Sequence, residues 1–297
     1  MKTIKTKTIL TKNKYPQYWF GNDYTMNLYR GCIHGCIYCD SRSACYHFDH
    51  AFEDVEVKQN APVLLEQILK TKRKKIMIST GSMSDPYQPI EKKWELTRTC
   101  LQLIDRYGFG ATLITKSDLV LRDLDLLAHI HHQAKAVVQM SLTCASDTMS
   151  HILEPHVCTS RRRYEVLKAC QARGIPTIVW LTPVLPYLTD TRQNLKQILD
   201  WCIDADVKGI LCFHAGMTLR KGSRDYYYQM LDASFPGLKQ RYEKVYGNAY
   251  EVMSQHNKEW MQLFHSTCQA AGIMDDPEEI FHYTSTLDPS YEPLTLF

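Results

Sequence analysis

The segment FGATLITKSDLVLRDLDLLAHIHHQAKAVVQMSLT (109–143) places two short apolar runs on either side of a stretch of helical length. The runs FGATLIT (109–115) and KAVVQMSLT (135–143) predict two β-strands, and the stretch near 123–133 predicts the helix between them. Strands that alternate with helices in this way are typical of a parallel sheet with helical crossovers. This unit therefore predicts an α/β fold.

The same alternation continues on both sides of the unit. The predicted strands are 24–31, 74–80, 109–115, 135–143, 175–183 and 208–214, and the predicted helices lie near 61–72, 91–107, 123–133, 160–174 and 191–205. Six strand–helix alternations predict a partial (β/α)6 barrel of the TIM type. In such a barrel the functional residues come from the loops after the carboxyl ends of the strands.

Beyond about residue 224 the pattern becomes helical, over 224–234, 237–246 and 255–272, and ends in a tail rich in Pro and Thr. No linker or internal repeat separates this part from the barrel. We therefore expect one domain overall, with a basic N-terminal segment (1–22), the partial barrel (23–220) and a helical C-terminal extension packed on it (221–297).

The composition is that of a globular chain without a membrane contact. Hydrophobic residues make up 44% and charged residues 23% of the 297 residues, and the net charge is +3. This charge gives little evidence for or against a polyanionic partner. No apolar stretch approaches the ~18 residues of a transmembrane helix, and the lysine-rich N-terminus lacks the apolar core of a secretory signal. We expect a cytoplasmic protein.

The cysteine content is unusual, with eleven residues in all. A disulfide framework is not expected in a cytoplasmic chain of this size. The run Cys32-Ile-His-Gly-Cys36-Ile-Tyr-Cys39 has the spacing C-x3-C-x2-C and follows the first predicted strand. Three thiolates of a [4Fe–4S] cluster would leave one iron free of protein ligands. A zinc site would need a fourth ligand, such as Cys45 or His34, so a non-catalytic zinc or iron–sulfur binding module is an alternative.

The chain resembles the radical S-adenosylmethionine superfamily and, within it, the spore photoproduct lyase-like branch, whose members are also called DNA repair photolyases. The blocks that carry this resemblance are NLYRGCIHGCIYCDSRS (27–43), TGSMSDPYQPIE (80–91), TKSDLVLRDLDLL (115–127), Glu154-Pro155 and GMTLRKGSRDYYY (216–228).

The resemblance implies that Cys32, Cys36 and Cys39 hold a [4Fe–4S] cluster whose open iron binds S-adenosylmethionine. A low-potential donor of the flavodoxin or ferredoxin type would supply one electron. The cofactor would then be cleaved to a 5′-deoxyadenosyl radical that abstracts a hydrogen atom from the substrate.

The resemblance also implies which polar residues after the strands bind the cofactor. These are Ser82, Ser84 and Asp85 near its amino group, Lys116 at its carboxylate, Ser141 and Thr143 at the ribose, and Tyr38 near the adenine. Each also has an ordinary explanation, as a turn residue, a solvated lysine, a strand-end hydroxyl or a core aromatic residue.

Substrate contacts are less defined. Cys144 follows Thr143 near the expected mouth of the barrel and is a candidate hydrogen-atom donor. Arg220 and Arg224 are candidate contacts for an anionic substrate. The basic runs KTKRKK (70–75) and Arg161–Arg163 could also contact phosphates, but the first lies at the barrel face opposite the expected site.

The sequence departs from the lyase pattern at two positions. The lyase returns hydrogen to its substrate from a cysteine in the loop after the second strand, and Ser82 occupies that place here. A hydroxyl O–H bond is too strong for this role. Asp40 replaces the tyrosine that follows the last cluster cysteine. Repair of a thymine dimer in DNA is therefore an alternative function, and nucleic acid is an open candidate for a partner.

Overall fold

The computed structural model describes residues 1–15 and 20–287. Residues 16–19 of the predicted N-terminal segment and 288–297 of the predicted C-terminal extension lie outside the described residues. In chain order the strands are β1 (Lys2–Ile4), β2 (Leu10–Lys12), β3 (Tyr24–Met26), β4 (Tyr29–Arg30), β5 (Glu56–Lys58), β6 (Met77–Thr80), β7 (Gly110–Thr115), β8 (Ala136–Ser141), β9 (Thr177–Trp180), β10 (Gly209–Leu211), β11 (Gly216–Thr218) and β12 (Glu251–Met253).

The helices are α1 (Ala61–Thr71), α2 (Glu91–Trp94), α3 (Leu96–Arg106), α4 (Leu124–Gln133), α5 (Asp147–Leu153), α6 (Ser160–Ala172), α7 (Arg192–Asp204), α8 (Ser223–Ser234), α9 (Leu238–Tyr246), α10 (Asn257–Ala271) and α11 (Pro277–Ser285). None of these helices is both long and apolar enough to span a bilayer, among the residues that the structure describes.

The central sheet has the strand order β10-β9-β8-β7-β6-β3-β2 and is mostly parallel. Every neighbouring pair from β3 to β10 is parallel, and only β2 runs antiparallel to its neighbour. At least one helix lies between each pair of successive parallel strands along the chain. The prediction of an α/β fold with a mostly parallel central sheet is confirmed. The count of six β/α units stays a prediction, because β10 leads into β11, which pairs with β12 in an antiparallel arrangement, and not directly into a helix. The domain division also stays a prediction.

Two predicted elements are divided in the structure. The predicted strand 24–31 consists of β3 in the central sheet and β4 in a second sheet of order β1-β5-β4. The predicted helix 91–107 breaks at Glu95, whose φ is +47°. A local hydrogen bond explains this break, because the Glu91 carboxylate accepts from the Thr97 amide at 3.0 Å and so caps the start of α3.

Helix α11 occupies the segment that the sequence predicts as a tail. The Asp276 side chain caps its start by accepting from the Glu279 amide at 2.9 Å, and Pro277 takes the first helical position. Asp-Pro-Glu-Glu is a sequence signal for a helix start that the composition of the tail obscured.

Alternate residues of the central strands face opposite sides of the sheet. On β8, Val138 and Met140 belong to the main core, whereas Val137 belongs to a separate apolar cluster on the inner face of the sheet. We call this cluster the apolar floor, and its buried members are Met77, Ile114, Val137, Ile178, Trp180, Leu211 and Ile280.

Helix α11 supplies Ile280 to the apolar floor and lies across the amino ends of the strands. Met274, just before α11, pairs with Gly209 at the start of β10. Beyond the end of α11, the Thr286 carbonyl accepts from the Lys135 ammonium at 3.1 Å, close to the start of β8. The C-terminal segment therefore covers this end of the sheet, which leaves the carboxyl ends of the strands for a site.

Candidate functional site

The three thiols predicted to hold the cluster lie on one loop, at Cys32, Cys36 and Cys39. This cysteine loop (31–39) follows β4 and is fixed at several points. The Cys32 amide donates to the Phe52 carbonyl at 3.1 Å, and the Ile37 amide donates to the Leu153 carbonyl at 2.9 Å. Gly31 has φ +86°, and a Cβ there would lie 2.4 Å from the Phe52 oxygen. The loop is thus held in one conformation by its backbone.

The three thiols are close enough to influence one another electrostatically. Cys32 and Cys36 are buried, and Cys39 is partly buried. Burial, together with the Asp85 carboxylate, raises the pKa of Cys32 to about 12. Burial also raises the pKa of Cys36 well above its ordinary value, although the Lys116 ammonium acts in the opposite direction.

The three thiol side chains of the cysteine loop are suitable ligands for an iron–sulfur cluster. Among the described residues, no three or more His, Cys, Asp or Glu side chains surround a point that one metal ion could occupy. A cubane cluster does not require such a point, because each of its thiolate ligands binds a different iron atom.

The Asp85 carboxylate joins three parts of the site. One oxygen, Oδ2, accepts from the Lys116 amide at 2.7 Å and lies 3.1 Å from His34 Nε2 in the cysteine loop. The other, Oδ1, accepts from Thr115 Oγ1 at 2.7 Å and from the Tyr87 amide at 2.8 Å. Burial alone would raise the pKa of Asp85, but His34 and these hydrogen bonds outweigh it and lower the pKa. Asp85 therefore holds the cysteine loop against the end of β7.

A cleft of ≈ 450 Å³ opens at the carboxyl ends of the central strands. Of the predicted cofactor residues, four line it: Tyr38, Ser82, Lys116 and Ser141. The structure does not bring the other three, Ser84, Asp85 and Thr143, to its surface. Ser84 Oγ instead donates to the Tyr29 carbonyl at 3.0 Å, and Thr143 Oγ1 lies 3.4 Å from the Tyr38 hydroxyl.

The cleft presents polar groups without partners. Ser82 Oγ and His214 Nε2 are buried and have no hydrogen-bond partner among residues 1–15 and 20–287. Burial lowers the pKa of His214, which favours the neutral imidazole. The Lys116 ammonium lies 5.8 Å from the centroid of the Tyr38 ring and forms no ion pair within the described residues. Buried polar groups are normally satisfied, so these groups point to a ligand.

Gly81 brings Ser82 to the cleft. Its φ is +100°, and a Cβ at this position would lie 2.1 Å from the Ile114 carbonyl oxygen. Only glycine permits this close approach of the loop to β7.

A buried ion pair contacts the Tyr38 hydroxyl. The Tyr38 hydroxyl donates to Glu154, whose other carboxylate oxygen pairs with the Arg163 guanidinium. Arg163 also donates to the Ser141 carbonyl at 2.9 Å. Burial alone would raise the pKa of Glu154, but Arg163, Lys116 and the Tyr38 hydroxyl lower it. The sequence marked Glu154 as part of a block and Arg163 as part of a basic run that could contact phosphates, but Arg163 is fully buried.

Arg220 is the predicted substrate residue that lines the cleft. Its guanidinium donates to the Tyr250 hydroxyl at 2.8 Å, and its Nε lies 3.6 Å from Asp40 Oδ1. Arg224 lies outside the cleft. It donates to the backbone carbonyls of the loop before β12, among them Gly247 at 2.8 Å, and so fixes that loop.

Cys144 also lies outside the cleft. It lines a separate cavity of ≈ 330 Å³ beside Met149 and Asn194, and its thiol donates to the Ser146 carbonyl at 3.5 Å. The structure therefore does not bring this thiol to the cleft, although Cys144 belongs to the same apolar cluster as Tyr38.

The prediction from sequence missed several residues that line the cleft: Phe20, Asp40, Trp180, Phe213, His214 and Tyr250. Trp180 and His214 lie within or at the end of the predicted strands 175–183 and 208–214, so the rule that sites follow strand ends could have found them. Phe20 and Tyr250 have no such local signal, because the fold brings them in from distant parts of the chain.

Residues 26–202 match the sequence profile of the Radical SAM superfamily. An uncharacterized protein of Mycobacterium tuberculosis is 31% identical over 229 residues, which cover 75% of this chain and 67% of that protein. An uncharacterized protein of Methanocaldococcus jannaschii is 32% identical over 196 residues, which cover 65% of this chain and 71% of that protein.

Among solved structures, spore photoproduct lyase complexed with dinucleoside spore photoproduct is similar with a TM-score of 0.64 and 14% identity, over 92% of this chain and 80% of that one. A doubly substituted mutant of that lyase with bound AdoMet and dinucleoside spore photoproduct has a TM-score of 0.57 and 13% identity, over 91% of this chain and 77% of that one. At these identities the likeness shows a shared fold.

Proposed function

The chain belongs to the radical SAM superfamily, and on that premise we propose that it is an enzyme whose Cys32, Cys36 and Cys39 hold a [4Fe–4S] cluster beside a bound S-adenosylmethionine. Membership implies S-adenosylmethionine, an iron–sulfur cluster and an external electron donor. When bound, these groups supply a 5′-deoxyadenosyl radical that abstracts a hydrogen atom from the substrate. The substrate that we assign to the cleft is one with an anionic group.

The observation that carries this proposal is the cleft with unpartnered polar groups next to the cysteine loop. The Lys116 ammonium would bind the cofactor carboxylate as a point charge. Ser82 Oγ would accept from the cofactor ammonium, and Ser141 would lie near the ribose. Both Ser82 and Ser141 line the cleft.

The remaining predicted cofactor residues act through others in this proposal. Asp85 orients the Lys116 backbone. Ser84 fixes the loop that carries Asp85 by donating to the Tyr29 carbonyl. Thr143 lies beside the hydroxyl of Tyr38, whose ring would pack near the adenine. Ser84, Asp85 and Thr143 therefore position the groups that bind the cofactor and do not touch it.

The deciding experiment is anaerobic reconstitution with iron and sulfide, followed by incubation with dithionite and S-adenosylmethionine. We expect a brown protein with about four irons per chain and broad absorbance near ~400 nm, and chromatography should detect 5′-deoxyadenosine. A colourless protein that binds one zinc, or a four-iron protein that never binds S-adenosylmethionine, would favour a non-catalytic metal-binding module and contradict the proposal.

Spore photoproduct repair is the second candidate function. Arg220 at the rim of the cleft favours it, because a guanidinium can contact a backbone phosphate. The cleft lining described by the structure contains no cysteine, so the hydrogen donor would have to differ from the lyase's. Cys144 is the thiol we retain for that role, provided that the substrate extends into its separate cavity.

Dinucleoside spore photoproduct is the substrate that tests this candidate. Formation of two thymidine units in the reconstituted enzyme would support it. Formation of 5′-deoxyadenosine without any loss of the photoproduct would reject repair and keep the radical enzyme.

A further inference from the structure

Three side chains with a weakly bound hydrogen line the cleft, among the lining residues that the structure describes: Tyr38, Trp180 and Tyr250. A phenol O–H or an indole N–H is weaker than an aliphatic O–H, because the aromatic ring delocalises the unpaired electron that is left behind. A thiol shares this property, but the described lining contains no cysteine. These three aromatic side chains are therefore the groups of the cleft that can give a hydrogen atom to a carbon radical.

Two of the three use their hydrogen in a buried hydrogen bond. The Tyr38 hydroxyl donates to Glu154. Trp180 Nε1 donates to Gln139 Oε1 at 2.6 Å. Removal of either hydrogen would leave a buried acceptor unsatisfied, which folded proteins avoid. Tyr38 and Trp180 are therefore poor donors to a ligand.

The Tyr250 hydroxyl differs because its bond to Arg220 does not use its hydrogen. An arginine side chain carries only donors, so the guanidinium donates and the phenol oxygen accepts in this contact of 2.8 Å. The O–H of Tyr250 has no acceptor among residues 1–15 and 20–287. Tyr250 is 47% exposed, so this hydrogen exchanges with water.

Tyr250 is held at the cleft from two directions. Its carbonyl accepts from the Leu219 amide at 2.8 Å, next to the pairing of β11 with β12. Its hydroxyl is held by Arg220, whose Nε lies 3.6 Å from Asp40 Oδ1. Asp40 directly follows the cysteine loop and also lines the cleft. The phenol oxygen therefore has a fixed place in the same lining as the Lys116 ammonium.

We propose that Tyr250 is a catalytic residue that returns a hydrogen atom to the carbon radical left on the substrate. This inference rests on the proposed function, in which hydrogen abstraction creates that radical. The O–H bond of Tyr250 breaks, a C–H bond forms on the product, and Tyr250 becomes a neutral phenoxyl radical. One electron from the external donor and one proton from water then restore the phenol.

Tyr250 is better placed for this step than Cys144, the hydrogen donor predicted from the sequence. Cys144 lines a separate cavity, and its thiol donates to the Ser146 carbonyl at 3.5 Å. A substrate would have to extend into that cavity to reach the thiol. Tyr250 lines the cleft together with Ser82 and Lys116, so a substrate beside the cofactor can reach it without leaving the cleft.

The test uses the reconstituted protein without a substrate, so that 5′-deoxyadenosine itself takes up the returned hydrogen. Protein, S-adenosylmethionine and dithionite are incubated in D₂O, where the Tyr250 hydroxyl carries deuterium. Mass spectrometry then measures the deuterium content of 5′-deoxyadenosine. Tyr250→Phe removes only the hydroxyl. Tyr46→Phe is the matched control, because the Tyr46 hydroxyl donates to Asp40 at 3.3 Å but is not part of the cleft lining.

We expect wild type and Tyr46→Phe to form singly deuterated 5′-deoxyadenosine, and Tyr250→Phe to lose most of this deuterium. A second readout identifies the donor by its spectrum. When the cluster is reduced and dithionite is removed before the cofactor is added, electron paramagnetic resonance should detect a tyrosyl radical in wild type. Its signal should narrow with ring-deuterated tyrosine and be absent in Tyr250→Phe. Iron content and S-adenosylmethionine affinity should be equal in all three proteins.

Equal deuterium contents in wild type and Tyr250→Phe, or a tyrosyl radical that persists in Tyr250→Phe, would overturn the assignment of Tyr250 and leave the proposed function intact. Undeuterated 5′-deoxyadenosine from wild type would do the same. A lower S-adenosylmethionine affinity in Tyr250→Phe would make Tyr250 a cofactor contact, which also overturns the assignment. Absence of 5′-deoxyadenosine from wild type would overturn the proposed function, and the assignment with it.

Discussion

The amino and carboxyl ends of the sheet's inner face differ in the side chains that they present. Toward the amino ends, α11 places Ile280 in the apolar floor. In the middle, the Gln139 amide is hydrogen-bonded at both atoms, because its oxygen accepts from Trp180 Nε1 and its nitrogen donates to Thr112 Oγ1, both at 2.6 Å. Ser79 Oγ on β6 is buried there without a partner among the described residues. At the carboxyl ends, Ser82 Oγ and His214 Nε2 have no hydrogen-bond partner in the part of the chain that the structure describes.

This difference distinguishes the part of the sheet that stabilises the fold from the part that we propose to bind ligands. Folded proteins leave few buried polar groups unsatisfied, since each one costs about 1–3 kcal/mol. Ser82 Oγ and His214 Nε2 line the same cleft as the Lys116 ammonium, and such groups around one cavity are better explained by a ligand than by packing. Changes at the carboxyl ends should affect ligands, and changes at the floor should affect stability.

The largest expected effect is loss of the cluster. Alanine at Cys32, Cys36 or Cys39 removes one of three thiolate ligands, so we expect each variant to lose most of its iron and all formation of 5′-deoxyadenosine. Cys45→Ala is the matched control, because Cys45 is exposed on the adjoining turn. Iron and sulfide analysis after reconstitution measures this. Wild-type iron content in any one variant would remove that cysteine from the ligand set.

Loss of the buried Glu154–Arg163 ion pair should give the next largest effect, which is a loss of folding stability. Arg163→Leu leaves the Glu154 carboxylate buried without its cation, and breaking such a pair costs about 3–5 kcal/mol. Urea unfolding of the cluster-free protein measures this loss. The double variant Glu154→Gln/Arg163→Leu should recover part of it, because no unpaired charge remains. A double variant less stable than Arg163→Leu would contradict the assignment.

The same pair predicts a pH dependence. The folded-state pKa of Glu154 is lowered from the ordinary value of 4.5. Its contribution to stability is therefore complete above about pH 4.5 and is lost as the pH falls through the folded-state pKa. The stability difference between wild type and Arg163→Leu should narrow on acidification over that range.

Truncation of a side chain in the apolar floor should cost a comparable or smaller free energy of unfolding and leave the cluster intact. Ile280→Ala removes a side chain that is 1% exposed, and such truncations cost about 2–5 kcal/mol. Urea unfolding should show this loss, while the iron content and cofactor affinity of the folded protein stay unchanged. A variant of normal stability that binds S-adenosylmethionine weakly would show that floor and cleft are not separate.

The sequence predicted the regular part of this arrangement and missed the parts that depend on long-range contacts. Alternating apolar runs located the strands, and the strand-end rule located Lys116 and Ser141 at the cleft. No periodicity exists in the loop 81–86, so the sequence could not show that Ser82 faces the cleft while Ser84 and Asp85 face the protein. Tyr250 comes from the segment beyond α9, and only the pairing of β11 with β12 brings it near Arg220.

The smallest effect, and the one that tests the carboxyl end most directly, is expected from Lys116→Ala. The Lys116 amide still bonds Asp85 and its carbonyl still accepts from Cys158 in this variant, so only the ammonium is lost. A hydrogen bond to a charged group contributes about 1.5–3 kcal/mol, which is roughly a 10- to 150-fold loss of S-adenosylmethionine affinity.

Equilibrium binding to the reconstituted protein measures that affinity. Ser84→Ala is the matched control, because its hydroxyl bonds the Tyr29 carbonyl and faces away from the cleft. The control should keep the cofactor affinity and lose about 1 kcal/mol of folding stability. Lys116→Ala should do the opposite and keep both stability and iron. Equal affinities in Lys116→Ala and wild type would mean that the unpaired ammonium serves the substrate and not the cofactor.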